Sequence, residues 1–268
     1  MSSPEPCSAS SAWRWRIGSP RTMGPGQVGT GKQTARTLRF LSTSTAAHPP
    51  RPDVRRGRPL VLAHRAGNDL AALRSAEALG VDVIEADIHL FRGRLEVRHL
   101  KTVGPIPIYW DRWKLCGPGA VTLDLETLLA TARPTTELML DLKGLDRRVG
   151  ARVVDALDRH PGSRLTICSR HWGHLAPFEG RDDVRLVRSV GNRSQLRAVW
   201  RHLASRPLDG VCVHRRLLTP ALVAELHGSV PLVMTWPVNT AELARRLAGW
   251  GVNGLVSDDP PALGTAAA

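Results

Sequence analysis

The stretch PLVLAHRAGN, residues 59–68, contains the pattern that decides the fold. A short apolar run leads directly into an imidazole and a guanidinium, His64 and Arg65. The runs VDVIEAD (81–87) and ELMLDLK (137–143) are built in the same way, because each is rich in apolar residues and ends in ionisable side chains. Short runs of this kind predict buried strands whose carboxyl ends reach a polar surface.

Alternating strand and helix patterns extend over the rest of the chain. Eight strand-like runs lie at 59–63, 81–87, 137–143, 164–169, 184–190, 209–214, 231–236 and 253–258. Helical periodicity separates most of them, at 69–79, 122–131, 146–158, 193–204, 219–228 and 239–251, whereas 170–178 shows no clear pattern. Such alternation requires parallel strands joined by crossovers. Eight units favour an α/β fold of the closed (β/α)8 TIM-barrel type over the alternative, an open doubly wound sheet.

Two of the predicted helices have recognisable first turns. Thr219 is followed by Pro220, a pair typical of an N-cap and a first helical position. Asn239 is followed three residues later by Glu242, which resembles a capping box. These signals predict helices that begin at about residues 220 and 240.

The first 58 residues differ in composition from the rest. They are rich in Ser, Thr, Pro, Gly and Arg and show no sustained apolar periodicity, which predicts a disordered basic tail, 1–58, before a barrel, 59–268. Ten Arg or Lys residues against two acids give this tail +8 of the formal charge of +13. The barrel therefore carries a modest charge and we expect no nucleic-acid partner for it. Nucleic-acid binding through the tail is the alternative, and it predicts that deletion of the tail abolishes function.

Targeting signals and cysteine spacing suggest a cellular compartment. No run reaches the roughly 18 apolar residues of a membrane span, and the start lacks the apolar core of a signal peptide. The four cysteines, Cys7, Cys116, Cys168 and Cys212, form no CxxC pair and fit reduced thiols. We expect a cytoplasmic protein, with an organellar transit peptide as the alternative for the Arg-rich start.

Strand parity places the ionisable residues. Side chains two apart on a strand share a face. Glu85 and Asp87 therefore share one face of the second predicted strand, and Asp141 and Lys143 share one face of the third. Because the carboxyl ends of barrel strands meet at one rim, we expect these side chains and His64 to lie together there.

Three converging carboxylates require a compensating charge. Each ionised pair about 4 Å apart repels by roughly 4 kcal/mol at an effective dielectric constant of about 20. The cluster of Glu85, Asp87 and Asp141 therefore needs protons or a cation, and oxygen ligands favour one Mg²⁺ or Ca²⁺ ion over zinc. Arg65 and Lys143 would remain as positive groups beside it, which favours a phosphate substrate.

A second histidine lies in the long interval after the second strand. His99 ends the run GRLEVRH (93–99), within a predicted rim insertion at about 88–121. Hydrolysis of a phosphodiester needs one group that attacks or activates the attacker and one that protonates the leaving alcohol. Histidine can do either near neutral pH, so His64 and His99 form a sufficient pair.

Six motifs together resemble the glycerophosphodiester phosphodiesterase superfamily. They are AHRAGN (63–68), GVDVIEADIHL (80–90), FRGRLEVRH (91–99), LDLK (140–143), TWPVN (235–239) and GVNGLVSDDP (251–260). Members of this superfamily are metal-dependent (β/α)8 enzymes that split glycerophosphodiesters into an alcohol and glycerol 3-phosphate. The resemblance covers about residues 59–260 and implies the same fold and activity here.

The resemblance also implies individual roles. His64 and His99 match the catalytic pair, Glu85 and Asp87 match the metal carboxylates, and Arg65 matches a phosphate contact.

The lysine of the third strand is matched by Lys143. Asp141 stands where typical members have Glu, and this Asp-x-Lys form resembles the related sphingomyelinase D and phospholipase D toxins. The substrate implied is a small phosphodiester or a lysophospholipid.

Two further departures from the typical pattern leave alternatives open. Asn68 follows Gly67 without the usual Pro-Glu pair, and Leu100 stands where Asp usually follows the second histidine. One alternative is a phospholipase D-type enzyme acting on lysophospholipids or sphingomyelin, for which Trp110 and Trp113 of the loop IYWDRW would form an apolar entry. The other is a catalytically inert barrel that binds phosphate or lipid.

The remaining residues near the strand ends have simpler expected roles. We expect structural roles for His89, the helix cap Asn239, the strand caps Asp258 and Asp259, and the surface residues His171 and His174. Trp236 ends the seventh strand, and we assign it to the substrate wall, with packing at the rim as the alternative.

Overall fold

The computed structural model describes residues 57–103, 106–111, 114–116 and 122–267, with side chains within 57–102 and 122–264. The predicted tail, 1–58, lies outside these residues except for its last two positions, and Cys7 lies outside with it. Trp113 and the side chain of Trp110, on which the apolar-entry hypothesis rests, also lie outside them.

Strands and helices alternate along the chain as the sequence predicts. In chain order they are β1 (Leu60–Ala63), α1 (Leu70–Leu79), β2 (Val83–Phe91), β3 (Arg94–Val97), β4 (Lys101–Val103), β5 (Ile106–Asp111), β6 (Lys114–Cys116), β7 (Leu123–Asp124), α2 (Leu125–Thr131), β8 (Glu137–Leu142), α3 (Val149–Leu157), β9 (Arg164–Ser169), β10 (Val184–Val190), α4 (Arg193–Leu203), β11 (Gly210–His214), α5 (Pro220–His227), β12 (Leu232–Trp236), α6 (Ala241–Gly249) and β13 (Gly254–Ser257). Short 3₁₀ segments lie at Ala66–Asn68, Trp172–Phe178, Arg215–Leu217 and Pro260–Ala267.

Eight parallel strands close into a barrel, which confirms the predicted TIM-barrel fold. Their order around the barrel is β1, β13, β12, β11, β10, β9, β8 and β2, and β2 pairs back onto β1. Ala63 stands opposite Ser257 where the first and last strands meet. On the other side of β2, Asp87 stands opposite Asp141 of β8. The register therefore places the first and last barrel strands side by side. It also places two of the predicted metal ligands, Asp87 and Asp141, side by side.

The barrel interior is apolar below the rim. One side chain or two from each strand fill it: Leu60, Leu62, Val83, Met139, Cys168, Val187, Cys212, Leu232, Met234 and Val256. Two further clusters pack the outer face of the sheet against the helices. The interior residues have the same parity as His64, Glu85, Asp87 and Asp141, so these polar side chains form the next layer, at the carboxyl end.

The long interval after the second strand is a β-rich insertion. Strand β2 continues to Phe91, beyond the predicted end at residue 87, because Ile88–Phe91 pair antiparallel with β3. Strand β3 pairs in turn with β7, and β4, β5 and β6 form a separate three-stranded antiparallel sheet. The insertion therefore begins with an extension of a barrel strand, and it carries His99 just after β3.

Threonine side chains cap helices α5 and α6 at their first turns. Thr219 accepts a hydrogen bond from the backbone N–H of Leu222, with Pro220 as the first helical residue, as predicted. The prediction that Asn239 caps α6 is wrong. Thr240 accepts the hydrogen bond from the backbone N–H of Leu243, so the helix begins one residue later than predicted. The first turn of α6 thus leaves the Asn239 side chain available for another contact.

The described chain begins with an ion pair. The guanidinium of Arg58 donates two hydrogen bonds, of 2.7 and 2.8 Å, to the carboxylate of Asp82. The last residue of the predicted tail is thus paired with the residue that precedes β2. Cys168 and Cys212 are free and buried. Among the described residues, no helix combines the length and the apolar composition that a membrane crossing requires.

Candidate active site

A cavity of about 560 Å³ opens at the carboxyl ends of the barrel strands. The eight residues that the sequence predicted for catalysis, metal binding and substrate binding all line it: His64, Arg65, Glu85, Asp87, His99, Asp141, Lys143 and Trp236. The structure thus brings together side chains at or just after the ends of β1, β2, β8 and β12, and one from the insertion. It also adds wall residues that the sequence did not single out as functional, among them Arg170.

Three carboxylates lie together on the cavity wall. Glu85, Asp87 and Asp141 each offer an oxygen, and these oxygens lie within 4.8 Å of one another. Glu85 and Asp87 are only 2% and 1% exposed. Burial, followed by the charge of Asp87, raises the pKa of Glu85 well above its ordinary value. The cluster therefore carries more negative charge than its surroundings tolerate without protons or a cation.

The donor set fits a hard divalent cation. The Oδ1 atom of Asp141 is buried and has no hydrogen-bond partner in the described part of the structure. An unsatisfied buried carboxylate oxygen is costly, so such an atom is usually a ligand or bound to water. Carboxylate oxygens are the ligands that Mg²⁺ and Ca²⁺ prefer. Glu85, Asp87 and Asp141 are therefore the residues that could hold such an ion.

Lys143 lies directly against two of these carboxylates. Its Nζ atom is 2.9 Å from Asp87 Oδ1 and forms a second ion pair with Asp141. Burial disfavours the charged ammonium, but Asp141, Asp87 and Glu85 together outweigh it and raise the pKa of Lys143. The ammonium is thus a fixed positive charge at neutral pH.

Asn68, which the sequence marked only as a departure from a motif, holds Asp87 in place. Its amide nitrogen donates to Asp87 Oδ2 at 2.9 Å, and its oxygen accepts from the backbone N–H of Asp87 at 2.8 Å. Burial alone would raise the pKa of Asp87, but hydrogen bonds from His99 and Asn68 and the charge of Lys143 hold it well below its usual value. The signal that could have identified Asn68 is its position in the turn directly after β1.

Arg65 turns its backbone toward the cluster. It has a positive φ of 59°, and its backbone N–H donates to Glu85 Oε2 at 2.6 Å. A non-glycine residue rarely adopts this left-handed conformation, and such strain is typical of functional sites. The Nε atom of Arg65 lies 3.8 Å from Asp87 Oδ2, so the guanidinium lies beside the carboxylates.

The imidazole of His64 is held from the last barrel strand. Its Nδ1 atom lies 2.6 Å from Asp258 Oδ1. Asn239 donates to Asp258 Oδ2 at 3.0 Å and accepts from the backbone N–H of Asp258 at 3.0 Å. Asp258 and Asn239 were expected to be caps, and this is wrong, because both side chains form a hydrogen-bonded chain behind His64. Asp259 does contact the backbone N–H of Ala262, at 3.4 Å, as a cap would.

The tautomer of His64 follows from this contact. An ionised carboxylate can only accept, so Nδ1 carries the proton and Nε2 is left with a lone pair. Burial, which is the largest effect, lowers the pKa of His64 even though Asp258 opposes it. His64 is therefore uncharged at neutral pH.

The second histidine lies on the other side of the carboxylates. The Nδ1 atom of His99 is 3.1 Å from Asp87 Oδ2. His89, which was expected to be structural, also lines the cavity, and burial followed by the charge of Arg98 lowers its pKa to about 3. His89 is accordingly neutral at physiological pH.

The histidines after β9 differ from each other in exposure. His171 is exposed, as predicted, and lines the cavity. His174 was also expected at the surface, which is wrong, because its side chain is 2% exposed and lies 3.4 Å from Ser169 Oγ. The cause is the 3₁₀ segment Trp172–Phe178, which folds back over the barrel against α3.

Comparison with known proteins adds a fold relationship. No protein-family model matches the chain, and no curated protein matches its sequence. Solved structures do match. An Oleispira antarctica phosphodiesterase, solved in complex with the product sn-glycerol-3-phosphate, has a TM-score of 0.63 and 20% identity over 78% of this chain and 96% of its own.

Two further matches are glycerophosphodiester phosphodiesterases. The Thermotoga maritima enzyme has a TM-score of 0.61 and 15% identity over 76% of this chain and 96% of its own. The Parabacteroides distasonis enzyme has a TM-score of 0.58 and 18% identity over 76% of this chain and 94% of its own. Identities this low establish shared architecture and nothing finer. The chain thus has the barrel fold of these phosphodiesterases.

Proposed function

We propose that the chain is a phosphodiesterase that hydrolyses glycerophosphodiesters to an alcohol and glycerol 3-phosphate. The observation that carries the proposal is the single cavity in which two histidines flank three clustered carboxylates and a lysine. The solved structures that share the fold support it, because they are named phosphodiesterases and one holds sn-glycerol-3-phosphate.

One divalent cation, Mg²⁺ or Ca²⁺, would be held by Glu85, Asp87 and Asp141. Such an ion polarises phosphoryl oxygens and neutralises charge that develops on them. The unpartnered Oδ1 atom of Asp141 is the observation that supports this ligand set.

Positive side chains would bind the phosphate. The Nζ atom of Lys143 is fixed by Asp87 and Asp141, and the guanidinium of Arg65 lies at the edge of the same cluster. Cationic donors that are already oriented stabilise developing phosphoryl charge without reorganising during the reaction. Trp236, on β12, would form the wall beside the alcohol portion.

His64 would act as the base or nucleophile. Its Nδ1–H is committed to Asp258, which leaves the Nε2 lone pair to accept a proton from water or to attack phosphorus. Asn239 fixes Asp258 in turn, so the ring orientation is set before substrate binds.

His99 would act as the general acid. Its Nδ1 atom contacts the buried carboxylate of Asp87, and this contact orients the ring beside the carboxylate cluster. As the bond between phosphorus and the alcohol oxygen breaks, His99 would deliver its proton to that oxygen. The two histidines thus have different carboxylate partners and different roles.

Release of glycerol 3-phosphate tests the proposal. Purified protein is incubated with glycerophosphodiesters and lysophospholipids in Mg²⁺, Ca²⁺ or chelator. We expect cation-dependent turnover that His64→Ala and His99→Ala each lower by about 10²- to 10⁴-fold, the usual contribution of a positioned acid or base. His202→Ala, at the end of the outer helix α4, is the matched control and keeps wild-type activity.

Two results would contradict the proposal. A folded protein that turns over none of the substrates would support the inert phosphate- or lipid-binding barrel. Turnover of lysophospholipids or sphingomyelin alone, without release of glycerol 3-phosphate from glycerophosphodiesters, would support the phospholipase D-type alternative.

A further inference from the structure

The rim of the barrel is divided by charge. The carboxylate cluster of Glu85, Asp87 and Asp141 belongs to β2 and β8, and Asp258 follows β13. The residues that directly follow β9, β10, β11 and β12 include no acid, at 170–173, 191–193, 215–217 and 237–240. They include instead the cations Arg170, Arg193, Arg215 and Arg216. One half of the rim thus suits a cation, and the other half suits an anion.

Arg170 is the arginine of this basic half that lines the cavity, and its neighbour His171 lines it too. Arg170 directly follows β9, the strand next to β8, which carries Asp141. It is therefore placed one strand away from the carboxylate cluster, on the same cavity wall.

The backbone of Arg170 is fastened to the next strand. Gln195 donates to the carbonyl oxygen of Arg170 at 3.2 Å and accepts from the N–H of Gly191 at 2.8 Å. The guanidinium lies directly over Gly191, because a Cβ atom built there would be 1.7 Å from Arg170 Nη2. The missing side chain at residue 191 therefore provides the space that the guanidinium occupies.

The positive charge of this guanidinium is not balanced by a carboxylate among the described residues. Within the described part of the chain, Arg170 forms no ion pair with a carboxylate, whereas Lys143 forms two. Burial, and then the charges of Arg216, Arg215 and Arg170, lower the pKa of His214, so positive groups accumulate on this side of the rim. A positioned, unpaired guanidinium in a cavity wall is a binding group for phosphate or carboxylate.

We propose that Arg170, with His171 beside it, binds a second anionic group, carried by the alcohol portion of the phosphodiester. The inference rests on the proposed function, because Arg65 and Lys143 are assigned to the phosphate that reacts. An anion at Arg170 must then belong to another part of the substrate. A phosphate or a carboxylate on the leaving alcohol fits this position, and a quaternary ammonium is repelled from it.

Substrates whose alcohols differ in charge test the inference. Glycerol 3-phosphate release is measured from glycerophosphoglycerophosphate, glycerophosphoserine, glycerophosphoglycerol and glycerophosphocholine. We expect kcat/KM to be at least about tenfold higher for an anionic alcohol than for the choline ester, a difference typical of one charge-assisted hydrogen bond. The phosphate and serine esters show which anion is preferred.

Three variants separate charge from position. Arg170→Gln removes the positive charge. Gly191→Ala keeps the charge but displaces the guanidinium. Both variants are therefore expected to reduce the preference for anionic alcohols. Gly191 has no positive φ, so its backbone accepts alanine. Arg197→Gln, on the exposed face of α4, is the matched control and keeps the preference.

A binding measurement keeps this inference distinct from the proposed function. Calorimetric titration of His64→Ala with glycerophosphoglycerophosphate and with glycerophosphoglycerol requires no turnover. The subsite is supported if glycerophosphoglycerophosphate binds more tightly than glycerophosphoglycerol and this difference is lost in His64→Ala/Arg170→Gln. This result would hold even if wild type hydrolyses nothing and the proposed function fails. Equal binding of both ligands, or a preference that survives Arg170→Gln, overturns the inference.

Discussion

The imidazole of His64 depends on a residue that lies 194 positions later in the chain, Asp258. Asp258 is in turn fixed by two hydrogen bonds with Asn239, so the ring is oriented from the loops after β12 and β13. Asp258 contacts the ring nitrogen opposite the one assigned to the reaction. It is therefore a positioning residue, and its effect should be visible both in rate and in the titration of His64.

Asp258→Asn tests this positioning. Asp258 raises the pKa of His64 against the larger effect of burial, so loss of the carboxylate should lower that pKa further. Because an amide can also donate to Nδ1, the wrong tautomer becomes accessible. We expect kcat to fall by about 10²- to 10⁴-fold, and the His64 pKa, followed by NMR of its ring protons, to decrease.

The adjacent carboxylate provides the control. Asp259 is exposed and, among the described residues, its carboxylate accepts a hydrogen bond from Ala262 in the first turn after β13, so Asp259→Asn should leave the rate and the His64 titration unchanged. A His64 pKa that rises or stays constant in Asp258→Asn would show that the carboxylate does not act on this ring.

At the scale of single elements, local pattern predicted the strands and distant contacts determined the rest. Each barrel strand is a short apolar run, and its burial leaves that pattern in the sequence. The extension of β2 to Phe91 depends on pairing with β3, which no periodicity within β2 reveals. The segment Trp172–Phe178 is a 3₁₀ helix that has no regular apolar spacing, so its packing on α3 and the burial of His174 could not be anticipated.

Substitution of alanine for a glycine should have opposite effects on the free energy of unfolding in two of the helices. A Cβ atom at Gly150 of α3 would lie 2.2 Å from the carbonyl oxygen of His174, whereas one at Gly249 of α6 would meet nothing within 4 Å. We expect Gly150→Ala to lower the free energy of unfolding by about 1–3 kcal/mol through overpacking. Gly249→Ala should raise it by about 0.4–1 kcal/mol, because alanine has fewer unfolded conformations.

Urea denaturation of both variants measures the difference. An equal effect of the two substitutions would show that α3 and the segment after β9 are not in close contact. Such a result would also remove the reason given for the burial of His174.

At the scale of the whole molecule, closure of the barrel assembles the site. Parity along β2 and β8 was sufficient to predict that Glu85, Asp87 and Asp141 converge. Glu85 and Asp87 lie two apart on β2, and Asp141 lies on β8, the next strand of the barrel. The contacts of His64 with Asp258 and of Asn68 with Asp87 could not be predicted in this way. They require the register of β1 against β13 and the path of the turn after β1, which are properties of the closed barrel.

Closure also makes the carboxylate cluster a property of the folded state alone. A cation that binds the native cluster and not the unfolded chain stabilises the fold by about 2.7 kcal/mol at a concentration one hundred times its Kd. For a domain of this size each kcal/mol corresponds to roughly 2–4 °C in Tm. We therefore expect Mg²⁺ or Ca²⁺ to raise Tm by about 5–10 °C over the value in chelator, measured by calorimetry.

Two matched variants determine whether the cation binds at this cluster. Asp141→Asn removes one charge and the unpartnered oxygen, so it should abolish most of the cation-dependent shift in Tm. Asp146→Asn removes a carboxylate that is paired with Arg148 outside the cluster, so the shift should persist. An equal shift in both variants would place the ion elsewhere, and no shift in wild type at millimolar cation would mean that Lys143 and Arg65 compensate the carboxylates without a cation.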